Sequence, residues 1–218
     1  MLLDTNDKLL FIGDSVTDMG RERPVGEGLR EAAGDSYVTL VDGLLQATCP
    51  EKNIRVVNMG CNGNNIRDLK ARWQTDVSDL KPDWLSIMIG INDVWRQFDS
   101  PHIVEQHVPL EEYERTLDEL VGTTLPSVKG LILMTPYYIE PNRKDAMRAR
   151  MDEYGAAVKR TAEKYGTVFV DTQAAFDEKC RFYHPNYYTW DRVHPSRVGH
   201  MVLAKCVMEA LGFAWLKD

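Results

Sequence analysis

Short apolar segments, separated by longer stretches with helical periodicity, constrain the fold of this chain more than any other feature. There are five such segments, each four to six residues long, with apolar side chains at nearly every position. Runs of this kind are typical of strands that are buried on both faces of a parallel sheet. The predicted strands cover residues 9–12, 54–57, 84–89, 131–134 and 167–170.

The intervening stretches place apolar side chains three and four residues apart, which is typical of amphipathic helices. Alternation of strands and helices predicts right-handed crossovers, with helices on both faces of the sheet. With 218 residues the chain is long enough for one well-buried domain, so we expect a single α/β domain over residues 1–218. The predicted helices cover residues 37–47, 66–77, 110–125 and 144–165, and a last one runs from Pro195 or Ser196 to about Leu211. Residues 21–35, 98–109 and 184–194 are predicted surface loops.

Charge and composition exclude several classes of function. The formal net charge is −7, and such a surface repels phosphate backbones, so nucleic acid is a poor partner. No apolar stretch approaches the roughly 18 residues of a membrane span, and the apolar run near Leu9 is too short for a signal peptide. The four cysteines lack the spacing of a zinc site or a disulfide framework. We expect a cytoplasmic protein without membrane, metal or cofactor.

Polar residues and glycines follow the predicted strands, where ligands bind in an open α/β sheet. Ser15 follows the first strand, Gly60 ends the second and Asn92 follows the third. Further along the chain, Asp191 stands three residues before His194. These residue types are the parts of an acyl-transfer site.

A serine hydroxyl is a weak nucleophile that needs an adjacent base, and His194 can supply one for Ser15. Asp191 can fix the tautomer of the imidazole and stabilise the imidazolium. A tetrahedral intermediate carries a negative oxygen that requires preorganised donors. We predict that these donors are the N–H groups of Ser15 and Gly60 and the side-chain amide of Asn92.

Taken alone, each motif has a plainer interpretation. Residues 13–15 read as a strand-to-helix turn with a capping side chain. Asn92 and Asp93 read as a turn, Gly60 as a conformational glycine, and residues 191–194 as a helix cap before Pro195. The catalytic interpretation depends on all of them occurring together. Within it, we predict that Asp14 and Asp93 orient Ser15 and Asn92 without touching the substrate.

Taken together, the motifs resemble the four sequence blocks of the SGNH, or GDSL-type, hydrolases. The blocks are G-D-S at residues 13–15, Gly60, G-x-N-D at residues 90–93 and D-x-x-H at residues 191–194. The first block continues with Val16 where the family name has leucine, at a packing position. The resemblance implies a three-layer α/β/α sandwich with a flavodoxin-like, five-stranded parallel sheet. It also implies a Ser15–His194–Asp191 triad, with Gly60 and Asn92 completing the oxyanion hole.

Several longer stretches resemble one branch of that family, the bacterial intracellular acetylxylan esterases. They cover residues 21–26, 57–58, 68–73, 89–96, 134–136 and 190–195. This resemblance implies deacetylation of short xylo-oligosaccharides without a cofactor. It also implies ring-like homo-oligomers, octamers among them.

Aromatic residues flank the site motifs, and aromatic faces suit sugar rings. We predict that Trp95, Tyr188 and Trp190 contact the substrate. Tyr183, Tyr187, Tyr188 and Trp190 fit an oligomer interface equally well, because aromatic residues are enriched at interfaces.

Three competing functions fit parts of the sequence. A metal-dependent phosphoesterase would use aspartates and histidines at strand ends, but the chain lacks the dense His/Asp spacing of a two-metal site. A non-catalytic sugar-binding module would retain the fold without the chemistry. A lysophospholipase or thioesterase of the same family would need an apolar groove for a long acyl chain.

Overall fold

A computed structural model describes residues 1–28 and 31–215. The sheet predicted from the apolar segments is present and entirely parallel, with its strand ends within three residues of the predicted ones. The strands are β1 (Lys8–Gly13), β2 (Arg55–Gly60), β3 (Trp84–Met88), β4 (Gly130–Met134) and β5 (Val168–Val170). Their order in the sheet is β2-β1-β3-β4-β5.

The chain also forms eight α-helices within the described ranges. They are α1 (Ser15–Asp18), α2 (Tyr37–Thr48), α3 (Ile66–Ala71), α4 (Ile91–Asp99), α5 (Leu110–Thr124), α6 (Ala146–Tyr165), α7 (Thr172–Lys179) and α8 (Arg197–Ala210). Helix α2 packs against α8, and α5 packs against α6.

The central strand β1 shows why helices must cover both faces of the sheet. Consecutive side chains of a strand point to opposite faces. Leu9, Leu10, Phe11 and Ile12 are nevertheless all fully buried. Both faces of the sheet are therefore covered by helices, and the α/β prediction is confirmed.

Three local predictions were wrong. Helix α4 was not predicted, because Asn92 and Asp93 favour a turn; it forms since Ile91 and Val94 are buried against the rest of the fold. Helix α8 begins at Arg197 with Ser196 as its N-cap, so Pro195 precedes the helix instead of opening it. The predicted helix over residues 66–77 ends at Ala71 and is followed by a π-helical turn over Gln74–Ser78.

Residues 21–35, predicted as a surface loop, are partly buried within the described positions. Arg21, Ala32 and Ala33 are buried, with at most 6% of each residue exposed. The guanidinium of Arg21 donates to the backbone carbonyls of Gly60 (2.7 Å) and Pro24 (2.8 Å), so the segment is bound to the end of β2. This segment therefore forms one side of the region where the site residues meet.

Candidate active site

The predicted site residues meet at the carboxyl end of the sheet. Strand β1 lies between β2 and β3, so the loops that follow these three strands are neighbours. Ser15 opens α1 directly after β1, and Asn92 lies in the first turn of α4 after β3. The segment before α8 brings Asp191 and His194 to the same place.

Ser15, His194 and Asp191 form a continuous hydrogen-bonded chain. Ser15 Oγ lies 2.9 Å from His194 Nε2, although the two residues are 179 positions apart in sequence. His194 Nδ1 lies 2.6 Å from Asp191 Oδ2. Asp191 therefore accepts a hydrogen bond from the protonated Nδ1 of His194. This leaves Nε2 without a proton, so it can accept a hydrogen bond from the Ser15 hydroxyl.

The spacing of Asp191 and His194 has a structural cause. Asp191 Oδ1 accepts the backbone N–H groups of Val193 (2.9 Å) and His194 (2.7 Å), which closes a turn, while Oδ2 is left for the imidazole. Although burial raises the pKa of Asp191, the hydrogen bonds from the His194 ring and from these two N–H groups bring it below its ordinary value. Asp191 is therefore ionised when the site works.

Two tryptophan rings contact the imidazole of His194. The Trp190 ring is nearly parallel to it, with an interplanar angle of 8° and 5.6 Å between the centroids. The Trp95 ring is tilted by 60° at 5.8 Å. This contact restricts rotation of the imidazole, so the hydrogen bonds to Ser15 and Asp191 are preorganised.

Two of the three predicted oxyanion donors are placed where they can act. The N–H of Ser15 stands at the start of α1 and has no acceptor within the described residues. The Asn92 amide Nδ2 donates one hydrogen to the carbonyl of Asn64 at 3.0 Å. An amide NH₂ carries two hydrogens, so a second one remains for a ligand.

Gly60, the third predicted donor, is not available, and that prediction was wrong. Its N–H donates to Asn58 Oδ1 at 2.8 Å. A Cβ at this position would lie 2.3 Å from the Asp18 nitrogen. Gly60 is therefore required because the backbone of α1 packs directly against the end of β2.

Gly63 replaces Gly60 as the candidate donor, and the sequence analysis missed it. Gly63 lines the same cleft as Ser15 and Asn92, and its N–H has no acceptor in the part of the chain that is described. Its φ of +77° is a conformation that favours glycine. The signal was present as the Asn62–Gly63 dipeptide, which marks a tight turn.

The loop that carries Gly63 covers residues 61–65, and we call it the oxyanion loop. The buried carboxylate of Asp18 accepts the N–H of Asn62 at 2.9 Å. Arg72 Nε donates to Asn64 Oδ1 at 2.6 Å, and a second guanidinium nitrogen donates to the Gly13 carbonyl at the end of β1. From α4, Asn92 donates to the Asn64 carbonyl within the loop, and Asp93 accepts the N–H of Ile66 directly after it. The loop is therefore bound from several sides, as an oxyanion donor must be.

We predicted that Asp14 and Asp93 orient Ser15 and Asn92, and within the described residues the hydrogen bonds that their carboxylates accept come from backbone N–H groups. Asp14 Oδ1 accepts the N–H of Val16 at 2.9 Å and thereby caps α1. Asp93 Oδ1 accepts the N–H of Ile66 at 3.0 Å, at the end of the oxyanion loop. Both carboxyl groups are fully buried, and burial raises the pKa of Asp14 to about 6 and the pKa of Asp93 to about 7.

The raised pKa of Asp93 gives the protein a pH-dependent stability. Between pH 4 and 7 the folded chain holds a proton on Asp93 that the unfolded chain has released, so the stability contribution of this group falls as pH rises. We expect Asp93→Asn to stabilise the protein by about 1–3 kcal/mol at pH 8 relative to its effect at pH 5, because the amide still accepts the Ile66 N–H without a buried charge. Urea unfolding at both pH values measures this difference, with the exposed Asp79→Asn as control. An equal effect of Asp93→Asn at the two pH values would contradict the assignment.

The three predicted substrate aromatics differ in position. Trp95 lines the catalytic cleft, and Trp190 is 65% exposed beside it. Tyr188 is 4% exposed, and its hydroxyl donates to the Lys179 carbonyl at 3.2 Å. Tyr188 therefore packs inside the protein, and the prediction that it contacts substrate was wrong.

The cleft above Ser15 is open and has a volume of about 550 Å³. The residues that line it include Met19, Gly20, Gly63, Trp95 and Arg96. The Arg96 guanidinium lies over the Trp95 ring, 4.9 Å from its centroid. These two bulky side chains narrow the space beside Asn92.

The fold and the triad define a class of protein, and sequence comparison identifies it. The profile of the GDSL-like Lipase/Acylhydrolase family matches residues 11–202. The chain therefore belongs to this family, and the resemblance seen in the sequence blocks is confirmed.

Among its relatives, an acetylxylan esterase of Geobacillus stearothermophilus is 58% identical over 218 residues, which cover both chains completely. The crystal structure of that enzyme matches with a TM-score of 0.98 over all of both chains. Its catalytic mutants S15A, D191A and H194A match equally well at 57% identity. An α/β hydrolase enzyme from the metagenome of Lake Arreo, Spain, is 55% identical and has a TM-score of 0.96, covering 97% of this chain and 98% of its own.

Proposed function

We propose that this protein is a serine esterase that removes acetyl groups from acetylated xylo-oligosaccharides. The observation that carries the esterase chemistry is the hydrogen-bonded chain from Asp191 through His194 to Ser15. It opens into a cleft where the N–H groups of Ser15 and Gly63 have no acceptor within residues 1–28 and 31–215. The xylan-derived substrate rests on the similarity to the Geobacillus acetylxylan esterase. The catalytic mutants of that enzyme carry the same residue numbers as the triad described here.

The first half of the reaction forms an acetyl-enzyme. Ser15 Oγ attacks the acetyl carbonyl carbon while His194 Nε2 takes the hydroxyl proton. The carbonyl oxygen becomes an oxyanion among the N–H groups of Ser15 and Gly63 and the amide of Asn92. The ionised Asp191 stabilises the imidazolium, which then protonates the departing sugar oxygen as the ester bond breaks, so that the sugar leaves with a free hydroxyl.

The second half regenerates the enzyme. A water molecule gives a proton to His194 Nε2 and attacks the acetyl carbonyl carbon. The same oxyanion donors stabilise the second tetrahedral intermediate. Its collapse breaks the bond to Ser15 Oγ, which takes the proton back from His194, and acetic acid leaves. Every proton in this cycle passes through one imidazole nitrogen, so no cofactor is required.

The bulk of Trp95 and Arg96 beside Asn92 supports a short acyl group. We expect kcat/KM on p-nitrophenyl esters to fall from acetyl through butyryl to octanoyl, by about 10-fold or more in total, because each added methylene needs space that these side chains occupy. A parallel acetate-release assay on acetylated xylo-oligosaccharides, other acetylated sugars and lysolipids tests the sugar preference. Rates that rise toward octanoyl esters would favour a lysophospholipase or thioesterase instead.

Assembly and location stay predictions. We propose a homo-oligomer, with an octamer as one form, that works in the cytoplasm. The exposed and mutually stacked rings of Tyr183 and Tyr187, with centroids 4.8 Å apart, support an interface at residues 183–187. Among the described residues, no helix combines the length and the apolar character needed to cross a membrane.

A further inference from the structure

A second pocket adjoins the catalytic cleft. It has a volume of about 280 Å³, and Met19 lines both it and the cleft that contains Ser15. We call it the Trp190 pocket, and its other walls include Asp35, Leu40, Trp190, Arg197 and His200. Because the two depressions share a wall, a ligand longer than one sugar unit can extend from the cleft into the pocket.

Trp190, the aromatic wall of the pocket, is held in place by its contact with the catalytic His194. One face of Trp190 stacks on His194, at 8° and 5.6 Å between centroids, while 65% of the residue stays exposed. A sugar ring presents C–H groups on its faces and hydroxyls at its edge, so it packs its face on such a ring. Leu40 and Met19 add apolar surface beside it.

Two charged side chains of the pocket, those of Asp35 and Arg197, are available to a ligand. Asp35 and Arg197 are exposed and form no ion pair within residues 1–28 and 31–215. The Asp35 carboxylate can accept hydrogen bonds from sugar hydroxyls, and the Arg197 guanidinium can donate hydrogen bonds to them. Because a hydroxyl is both a donor and an acceptor, the two side chains together suit a sugar. The carboxylate also disfavours an anionic ligand at this place.

His200 adds a buried polar group to the same wall. Its Nδ1 accepts the N–H of Tyr37 at 3.2 Å, so the ring proton stands on Nε2. That nitrogen has no acceptor among the described residues, and the residue is 3% exposed. Burial lowers the pKa of His200 to about 4, which keeps the ring neutral near pH 7.

We propose that the Trp190 pocket binds the sugar unit next to the acetylated one, so that the enzyme recognises at least two linked pyranose units. The inference rests on the proposed function, because the acetylated unit must occupy the cleft at Ser15. It goes further by assigning a place to the neighbouring unit, with Trp190 under its face and Asp35 and Arg197 at its hydroxyls.

The test compares acetylated xylobiose with acetylated methyl xyloside and p-nitrophenyl acetate, in wild type and in Asp35→Ala and Arg197→Ala. We expect each variant to lower kcat/KM about 10-fold on the two-unit substrate and to leave the other two substrates within twofold, since one charged hydrogen bond is lost only when the second unit is present. The matched control is Arg181→Ala, an exposed arginine outside both depressions. It should leave all three substrates unchanged.

Failure of the inference is distinguishable from failure of the proposed function. If wild type releases acetate from both xylosides but the variants affect neither, or affect all three substrates equally, the pocket does not bind a second sugar and the esterase assignment stands. If wild type hydrolyses p-nitrophenyl acetate but neither xyloside, the proposed substrate is wrong and the inference is overturned with it.

Discussion

Ser15→Ala is expected to lower kcat for acetyl esters by about 10⁴-fold or more, with little change in the free energy of unfolding. The Ser15 hydroxyl is the protein group that bonds to the acyl carbon in the proposed mechanism. The variant also leaves His194 without the atom from which it takes a proton in the first step. The oxyanion donors survive in the variant, so a residual rate above that of water should persist. Initial rates of acetate release, together with thermal unfolding, measure both quantities.

Two further variants make this experiment specific. Ser127→Ala, at an exposed serine far from the triad in sequence, should leave kcat within twofold. Replacement of Asp191 should cost less than replacement of Ser15, because binding and the oxyanion hole act without the carboxylate. A Ser15→Ala protein that hydrolysed p-nitrophenyl acetate at the wild-type rate would exclude the triad as the catalytic centre.

The second large effect is expected at Asn92. We expect Asn92→Ala to reduce kcat by about 10²–10³-fold, because one of three donors to the oxyanion is removed. The effect should fall mainly on kcat, since the oxyanion exists only in the tetrahedral states and the ground-state carbonyl gains less from the donor. Steady-state kinetics on p-nitrophenyl acetate separate kcat from KM.

Asn92 also donates to the Asn64 carbonyl, so part of the loss could come from a displaced oxyanion loop. Asp93→Asn serves as the comparison, because it retains an acceptor for Ile66 at the end of the same loop. An exposed control, Asn186→Ala, should leave the kinetics unchanged. An Asn92→Ala protein whose kcat stays within threefold of wild type would remove Asn92 from the oxyanion hole.

Local sequence patterns predict two kinds of element: strands in which every residue is buried, and helices whose apolar side chains recur at helical spacing. Strand β1 was predicted because every position from Leu9 to Ile12 is apolar, and helix α5 because its apolar side chains recur at helical spacing. Helix α4 was not predicted, because the polar residues of its first turn are typical of a loop. Gly90, with φ +130°, directly precedes the helix, and burial of Ile91 and Val94 then selects the helical conformation. That selection depends on neighbours that the local sequence does not contain.

The two glycines of the site show the same division. Gly60 stands at a strand end in the expected sequence block, yet its N–H is taken by Asn58. Gly63, three residues later, lines the cleft, and its N–H has no acceptor among the residues that the structure describes. No local rule distinguishes them, because the acceptor of an N–H depends on how the loop folds back against α1 and α4.

The sequence by itself determined the parallel sheet, the chemical types of Ser15, Asp191 and His194, and their order along the chain. Each of these follows from residue identity and short-range spacing. The tertiary structure alone decided that Ser15 and His194, 179 residues apart, meet at 2.9 Å. It also decided that Gly63 lines the catalytic cleft, that Tyr188 is buried and that Trp190 stacks on His194. The physical reason is that the environment of a buried side chain or N–H is set by elements distant in sequence.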